Sequence, residues 1–503
     1  MRLFLEFDRS QDTVQRHRLT YAFRLFCAVY NHIPVLDPRQ APGVDLCLSY
    51  RLPGVTQTRI KTFYLSNLYR PRAPEIPAPR PTRVRIGTEE TVLFHLPREG
   101  NSPDWLGEIF EWTSCADEYS IVARDAVGRI PFSSSVFARY SVDERRPYAA
   151  VAMFLLESAI RALVPAFPVK ASPPVGISHA VVCSHDVDFI SSGRASSVWR
   201  LMKNSMISLR ESPGLAAGIA AHALSVAVGG NDPLQNIDRL AQWEQACGVA
   251  ASFFFIPRHR HRRDANYLVE HESVVQLMQR LQAMGMEIGV HGSYTSLETA
   301  NGLRDEFDSL RRFGFLPQGG RQHWLRFTLD RLIPAVERAG AQYDASVGWH
   351  DRVGFRAGAC FPYPPYNFAE ERPARFLEFP LAVMDQALPG GRNDAHAVIE
   401  RLLASSRAYG WGGISVLWHP AAFGASQLPL GIGQAFFDSA NARLRQGDAW
   451  LSAADVLTLV QDRYARAGLI NREWGLRRIN VDKGTRSSIV PKTIGRSVQS
   501  ALP

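Results

Sequence analysis

The chain has 503 residues, of which 46% are hydrophobic and 21% are charged, and this composition excludes a mainly disordered protein. The length leaves room for two or three domains. The formal net charge of +9 comes mostly from the segment 466–503, which carries eight basic and two acidic residues, so the rest of the chain is nearly neutral. Such a tail is typical of a solvated arm or of one that contacts a membrane surface, and we expect no nucleic-acid partner.

Residues 1–170 show mixed secondary-structure signals and predict an α+β domain, to which the sequence assigns no role. The predicted elements are helices over 12–32 and 148–164, strands over 44–52 and 91–96, and a proline-rich loop over 69–81. Acidic residues occur within the first eight positions, before any apolar stretch of signal-peptide length. We therefore expect a cytoplasmic protein.

From position 175 the pattern changes to apolar strands that alternate with helices. The predicted strands cover 177–183, 250–256, 287–290, 341–346, 376–380 and 414–418, and the predicted helices cover 237–247, 271–284, 298–313, 329–339 and 395–409. The segment 322–327 lies between two of these helices and completes the alternation. This alternation implies βα units joined by right-handed crossovers. The sequence thus predicts an α/β fold with a barrel-like arrangement over 175–465.

An alanine- and glycine-rich stretch interrupts this alternation at 215–230. It contains His222 and is shorter than the ~20 residues that a membrane-spanning helix needs. We therefore predict a packed or interfacial helix for this stretch.

Ionisable side chains follow three of the predicted strands at the point where each strand ends. Asp186 and Asp188 point to the same side if the strand geometry persists beyond Cys183. Two carboxylates held this close need a cation or a shared proton. His291 and His419 follow two further strands, and the carboxyl ends of parallel strands meet at one rim, so we predict an active site at that rim.

Four motifs over residues 177–460 resemble the polysaccharide deacetylase superfamily, also known by its NodB homology domain and as carbohydrate esterase family 4. The motifs are His185-Asp186-Val187-Asp188, Ala251-Ser252-Phe253-Phe254-Phe255, Glu287-Ile288-Gly289-Val290-His291 and Leu417-Trp418-His419. The resemblance implies a distorted (β/α) barrel of the polysaccharide deacetylase type. It does not cover the first 170 residues.

The resemblance also implies a role for each of the ionisable residues. It makes Asp186 the general base, Asp188 and His291 ligands of a divalent metal, and His419 the general acid. Zinc is the expected ion. A metal held by one carboxylate and imidazoles keeps positions open for water and for the carbonyl of an acetamide.

One position departs from the family pattern. The second motif normally has another histidine four residues after the first, where this chain has Thr295. His323 lies in the segment that corresponds to the third motif. It could supply the missing metal ligand or contact the substrate, and the sequence leaves both interpretations open.

Further residues are candidates for supporting roles. Arg321 and Arg356 compete to hold Asp186 ionised and oriented, although each could instead form a surface ion pair. Asp344, at the position of the fourth motif, could fix His419 or cap a turn. Four aromatic side chains could form a floor for sugar rings or could pack in the core: Trp349, Tyr363, Tyr366 and Trp418.

These observations predict a metal-dependent hydrolase that removes N-acetyl groups from amino sugars of a bacterial polysaccharide or its precursor. The altered second motif also fits hydrolases of small cyclic amides or ureides on the same fold. A third alternative is a glycan-binding protein that has lost catalysis, suggested by Thr295 and by the N-terminal region outside the resemblance. The basic tail could bring the protein to the inner face of the membrane.

Overall fold

A computed structural model describes the protein over residues 1–8, 10–51, 61–98, 101–167, 177–190, 194–209, 213–229, 237–389, 391–420 and 432–470. The basic tail predicted from position 466 therefore lies outside the described residues beyond Ile470. Among the helices in these ranges, none combines the length and the apolar character needed to cross a bilayer.

The N-terminal part is built on a small parallel sheet with the strand order β2-β1-β3-β4, next to an antiparallel hairpin of β5 and β6. Its elements are β1 (Arg2–Glu6), α1 (Thr13–Val29), β2 (Ile33–Val35), β3 (Leu46–Ser49), β4 (Thr62–Tyr64), β5 (Thr82–Ile86), β6 (Glu89–Leu93), α2 (Trp105–Thr113), α3 (Val136–Arg139) and α4 (Tyr148–Leu163). The predicted helices at both ends are confirmed. Asp12 begins α1 because its side chain accepts a hydrogen bond from the Gln15 amide at 2.7 Å.

The second part alternates strands and helices, as the sequence predicts. Its elements are β7 (Ala180–Val187), α5 (Arg194–Ser208), α6 (Pro213–Ala227), α7 (Ile237–Cys247), β8 (Ser252–Phe255), α8 (Glu272–Ala283), β9 (Glu287–Gly292), α9 (Gly302–Arg312), β10 (Gly319–Gln322), α10 (Leu329–Ala339), β11 (Tyr343–Asp344), β12 (Tyr366–Asn367), β13 (Arg372–Pro373), β14 (Leu377–Glu378), β15 (Leu381–Met384), α11 (Arg392–Tyr409), β16 (Gly412–Leu417), α12 (Ile432–Arg445), β17 (Ala449–Leu451) and α13 (Ala453–Arg466).

The main sheet is a curled, parallel half-barrel. Its path runs β14-β11-β10-β9-β8-β7-β16-β15, and β17 pairs with β7 off this path. The two end strands, β14 and β15, are joined through only Phe379 and Pro380. Three Cα–Cα steps span at most about 11 Å, so the two ends of the sheet must lie near each other. The mixed α/β architecture is confirmed, and the curled sheet is compatible with a (β/α) barrel.

The apolar strands are buried because helices and the N-terminal part cover them. Every residue of β7 and β8 is buried, which accounts for their nearly continuous apolar sequence. One continuous hydrophobic cluster includes residues of α1, α2 and α4 as well as the strands of the main sheet. The N-terminal part therefore packs directly on the barrel. Tyr21 adds a polar contact by donating its hydroxyl to the Pro364 carbonyl at 2.9 Å.

The segment 322–327, to which the sequence assigned no element type, contains the end of a strand and a turn. The strand β10 ends at Gln322, and His323–Leu325 forms a 3-10 turn. Glycines at 319 and 320 weaken the strand signal in the sequence. They are required here because a Cβ on Gly320 would collide with the Val290 carbonyl of β9. The close approach of these two strands places Arg321 opposite His291.

Candidate active site and metal centre

Four strand ends deliver ionisable side chains to one cavity of about 540 Å³. Asp186 lies near the end of β7 and Asp188 just beyond it, His291 lies on β9, and His419 lies two residues beyond β16. All four side chains line the cavity, together with His323 from the turn after β10. The parallel arrangement accounts for this convergence, because the carboxyl ends of neighbouring strands share one rim.

Asp188, His291 and His323 form a cluster that could hold a metal ion. Each offers one ligand atom, and these three atoms lie within 4.8 Å of one another. The Asp188 Oδ1 atom is 3.2 Å from Nε2 of His291 and 3.5 Å from Nε2 of His323. One carboxylate and two imidazoles are a donor set that suits zinc and other divalent transition metals.

The ring orientation of His291 fits a metal ligand. Its Nδ1 lies 3.0 Å from the backbone carbonyl of Arg321, so Nδ1 carries the proton and donates it. The lone pair of Nε2 then faces Asp188. Burial alone would lower the pKa of His291, but the carboxylates of Asp186 and Asp188 outweigh burial and raise it. The space between these groups therefore favours a cation, either a proton or a metal.

Asp186 is held ionised by Arg321. Burial would raise the pKa of Asp186, but the guanidinium of Arg321 and the neighbouring His291 and His419 lower it. Arg321 donates from Nη1 to Asp186 Oδ1 at 2.8 Å. Its remaining contacts fix the guanidinium in place: Nη2 donates to the hydroxyls of Ser184 and Ser415, and Nε donates to the Ala345 carbonyl.

His419 is held by Asp385, a residue that we did not identify from the sequence. The Asp385 carboxylate accepts from the His419 amide at 2.9 Å and from its ring Nδ1 at 2.8 Å. The Nε2 atom faces the cavity, 3.6 Å from Asp188 Oδ2. Burial would lower the pKa of His419, but Asp385, followed by Asp188 and Asp186, raises it to about 10. These carboxylates therefore favour the protonated imidazolium form of His419.

Asp344 and Arg356 lie outside this constellation. Asp344 accepts from the Ser346 amide at 2.9 Å, and burial raises its pKa to about 6; Asp385 instead takes the place beside His419. Arg356 forms a bidentate pair with Glu118 of the N-terminal part, with distances of 2.6 and 2.8 Å. Its role is to join the two parts of the chain, and it makes no contact with Asp186, which Arg321 holds.

The four aromatic residues considered for a sugar-binding floor are buried in the core, each with at most 2% of its surface exposed: Trp349, Tyr363, Tyr366 and Trp418. Trp324, which is 43% exposed, lines the cavity instead. Its backbone has a φ of 64°, which turns the chain directly after His323. Asp264 also lines the cavity, with Oδ1 3.8 Å from His323 Nδ1.

The rim of the cavity is rich in arginine. Arg200, Arg262 and Arg263 line it, and none of them has a carboxylate partner within 4.0 Å in the described part of the chain. Arg263 is positioned by donating to the Tyr294 hydroxyl at 2.7 Å. A fourth, Arg129, is neutralised by an ion pair with its own loop. The mouth of the cavity is therefore positively charged, whereas its acids are gathered around the metal cluster.

A second cluster of metal-binding residue types lies on the opposite face of β7. Cys183, His185 and Glu244 are all buried, and their ligand atoms also lie within 4.8 Å of one another. His185 Nε2 is 2.7 Å from Glu244 Oε1, and its Nδ1 is 2.7 Å from the Trp418 carbonyl. The cavity lining includes none of these three residues.

Neither a scan against protein-family models nor a search of the curated proteins found a match for this chain. The resemblance to polysaccharide deacetylases therefore stays a prediction from the four sequence motifs.

Proposed function

We infer that the protein is a metal-dependent hydrolase of the polysaccharide deacetylase type, which removes N-acetyl groups from amino sugars of a polysaccharide or its precursor. One observation carries this proposal: Asp186, Asp188, His291 and His419, which are remote in sequence, line one cavity. His323 joins Asp188 and His291 as a third candidate metal ligand, whereas Thr295 stands where the family pattern has its second histidine. The cytoplasmic face of a membrane is the proposed site of action.

The two sides of the cavity suit opposite proton transfers. Asp186 is kept ionised by Arg321, so it can accept the proton of the attacking water. A divalent ion such as zinc, held by Asp188, His291 and His323, would polarise the amide carbonyl and lower the pKa of that water. His419 holds a proton on Nε2 and can donate it to the departing amine.

The charge of the rim favours a substrate that carries an anionic group. Arg200, Arg262 and Arg263 present guanidinium groups without carboxylate partners in the described chain. Arginine forms bidentate hydrogen bonds with carboxylate and phosphate groups. We therefore expect the preferred amino sugar to be an acidic sugar or one that bears a phosphate.

The test is acetate release from N-acetylglucosamine 1-phosphate, measured for the zinc-loaded protein and for Asp186→Asn. Losing the base should lower the rate by about 10²–10⁴-fold while zinc content stays stoichiometric. Asp344→Asn is the matched control, because Asp344 is also a buried acid on a strand of the main sheet but does not line the cavity. Equal activity of wild type and Asp186→Asn would refute the assignment of the base.

The hydrolysis of small cyclic amides or ureides is a second candidate, because Thr295 replaces a histidine of the usual second motif. Hydrolysis of hydantoin, with none of acetylated sugars, would favour it. A protein that binds stoichiometric zinc and acidic glycans but hydrolyses neither substrate would instead fit the binding protein that has lost catalysis.

A further inference from the structure

The helices α5 and α6 form a hairpin that the proposed chemistry does not use. It is inserted in the connection between β7 and α7. The two helices pack on each other through a small cluster separate from the main core: Val198, Leu201, Ile219, Ala223 and Val226. The hairpin is therefore an appendage with its own core.

One face of α5 exposes a stripe of large apolar side chains. The stripe consists of Trp199, Met202, Met206 and Leu209, which are 68%, 42%, 73% and 58% exposed. Spacings of three and four residues place them on the same side of the helix. Leu201 points the other way and is buried against α6. On α6 and directly after it, Leu224 and Val228 are also exposed, by 67% and 87%.

Basic side chains flank this stripe. Arg194, Arg200 and Lys203 lie on α5, and over residues 194–229 the sequence has four basic residues and one acidic residue. The ammonium group of Lys203 lies 5.4 Å from the ring centre of Trp199. An apolar stripe with arginine or lysine at its edges is the pattern of a helix that lies in a membrane interface.

We propose that the α5–α6 hairpin docks on the surface of a bilayer that contains anionic lipids. The charge of the hairpin is complementary to such lipids. The same positive charge argues against docking of the hairpin on a second copy of the chain, because a symmetric contact would bring two basic faces together. The length of the helices agrees with a surface position: α6 has 15 residues, or about 22 Å, which is less than the ~30 Å of the hydrocarbon core.

Docking would orient the candidate site towards the membrane. Arg200 belongs to α5 and also lines the cavity, and its guanidinium lies 3.7 Å from the ring centre of Phe189, just beyond β7. The hairpin and the mouth of the cavity therefore share a residue. A hairpin seated on lipid holds this mouth close to the headgroups, within reach of a substrate attached to a lipid.

The experiment is co-sedimentation of the full chain with vesicles of phosphatidylcholine, either alone or mixed with phosphatidylglycerol. It requires no catalytic activity and is therefore independent of the proposed hydrolase. We expect binding to the mixed vesicles, and we expect high salt to weaken it. The double variant Trp199→Ser/Met206→Ser should lower the partition coefficient by about tenfold or more, since two large apolar side chains no longer enter the interface.

The matched control is Ile76→Ser/Leu316→Ser, which removes two apolar side chains of similar exposure, 54% and 57%, outside the hairpin. It should bind as the wild type does. The proposal would be overturned if the wild type bound neither kind of vesicle. It would also be overturned if both double variants lost binding equally. Binding that persists in the hairpin variant would also overturn it and would point to the basic tail. A dimer in light scattering that only the hairpin variant abolishes would assign the stripe to a second copy instead.

Discussion

The two faces of β7 carry clusters of similar composition that have different surroundings. Asp188, His291 and His323 open into the cavity, whereas Cys183, His185 and Glu244 are sealed in the core with no exposed surface on His185 or Glu244. The side chains of neighbouring residues in a strand point to opposite faces of the sheet. Residues one position apart along β7 therefore lie in these two different environments. Donor atoms of metal-binding types therefore do not by themselves define a metal centre.

Most polar atoms of the sealed cluster have partners in the core, although Glu244 Oε2 is buried without a hydrogen-bond partner in the described part of the chain. Both ring nitrogens of His185 have an oxygen partner at 2.7 Å, and the Cys183 thiol donates to Glu244 at 3.6 Å. Burial, with a contribution from Glu244, raises the pKa of Cys183, which keeps the thiol protonated and makes it a poor ligand. The role of the sealed cluster is structural, because His185 connects β7 to the end of β16 through the Trp418 carbonyl.

The sharpest way to test this difference is to remove one donor from each cluster. Asp188→Ala should weaken zinc binding by more than about 100-fold, because it removes the shared carboxylate between two imidazoles. Cys183→Ser should leave zinc affinity unchanged. Isothermal titration with zinc measures both. If Cys183→Ser lost zinc binding and Asp188→Ala did not, the metal would be assigned to the sealed cluster.

The sealed cluster should matter for stability instead. Glu244→Ala removes the partner of both His185 and Cys183, and we expect it to lower the free energy of unfolding by about 3–5 kcal/mol. Urea denaturation measures the change. As a control, Glu298→Ala removes a carboxylate that is 44% exposed and pairs with Arg326, so it should cost about 0–1 kcal/mol. Similar losses in the two variants would contradict the structural role of Glu244.

The pH dependence of hydrolysis should report the contact between Asp385 and His419. Activity that needs the imidazolium falls as pH rises through its pKa, which the acids around it raise to about 10. Asp385→Asn removes the strongest of the raising groups, so the basic limb of the pH profile should move to lower pH by about one unit or more. An unchanged basic limb would mean that another group is the acid.

The smallest effect is expected at Thr295. This residue does not line the cavity, so Thr295→Val should change zinc affinity by no more than about twofold. His323→Ala should lower the affinity by at least about tenfold, because His323 belongs to the open cluster. Equal effects of these two substitutions would remove His323 from the ligand set.

The repeating part of the fold was predictable because its signals are local. The strand that carries Asp186 and the strand that carries His291 each contain an apolar, β-prone run, and the structure confirms both as buried strands. Helices 237–247 and 329–339 agree with the structure to the residue. The strands β15 and β17, of four and three residues, were not predicted.

The candidate site was predictable only where its residues follow clear strands. Asp385 follows the unpredicted β15, so no pattern in the sequence distinguished it from other acids. Asp344 was considered in its place, but its contacts are with Ser346. The choice between Arg321 and Arg356 depended on long-range contacts: Glu118 precedes its partner Arg356 by 238 residues. Pairings of this kind are set by tertiary packing and have no local signal.

The position of β7 in the sheet has a consequence for how the chain folds. The hydroxyl of Ser184 on β7 contacts Ser415 on β16, a partner 231 residues later in the sequence. Until synthesis reaches β16, β7 has an unpaired edge, which is a site for wrong pairing or aggregation. Contacts between such distant segments form slowly. The rim of the candidate site therefore becomes complete only late in folding, and a nascent chain that stops before Gly412 lacks the strand that pairs with this edge of β7.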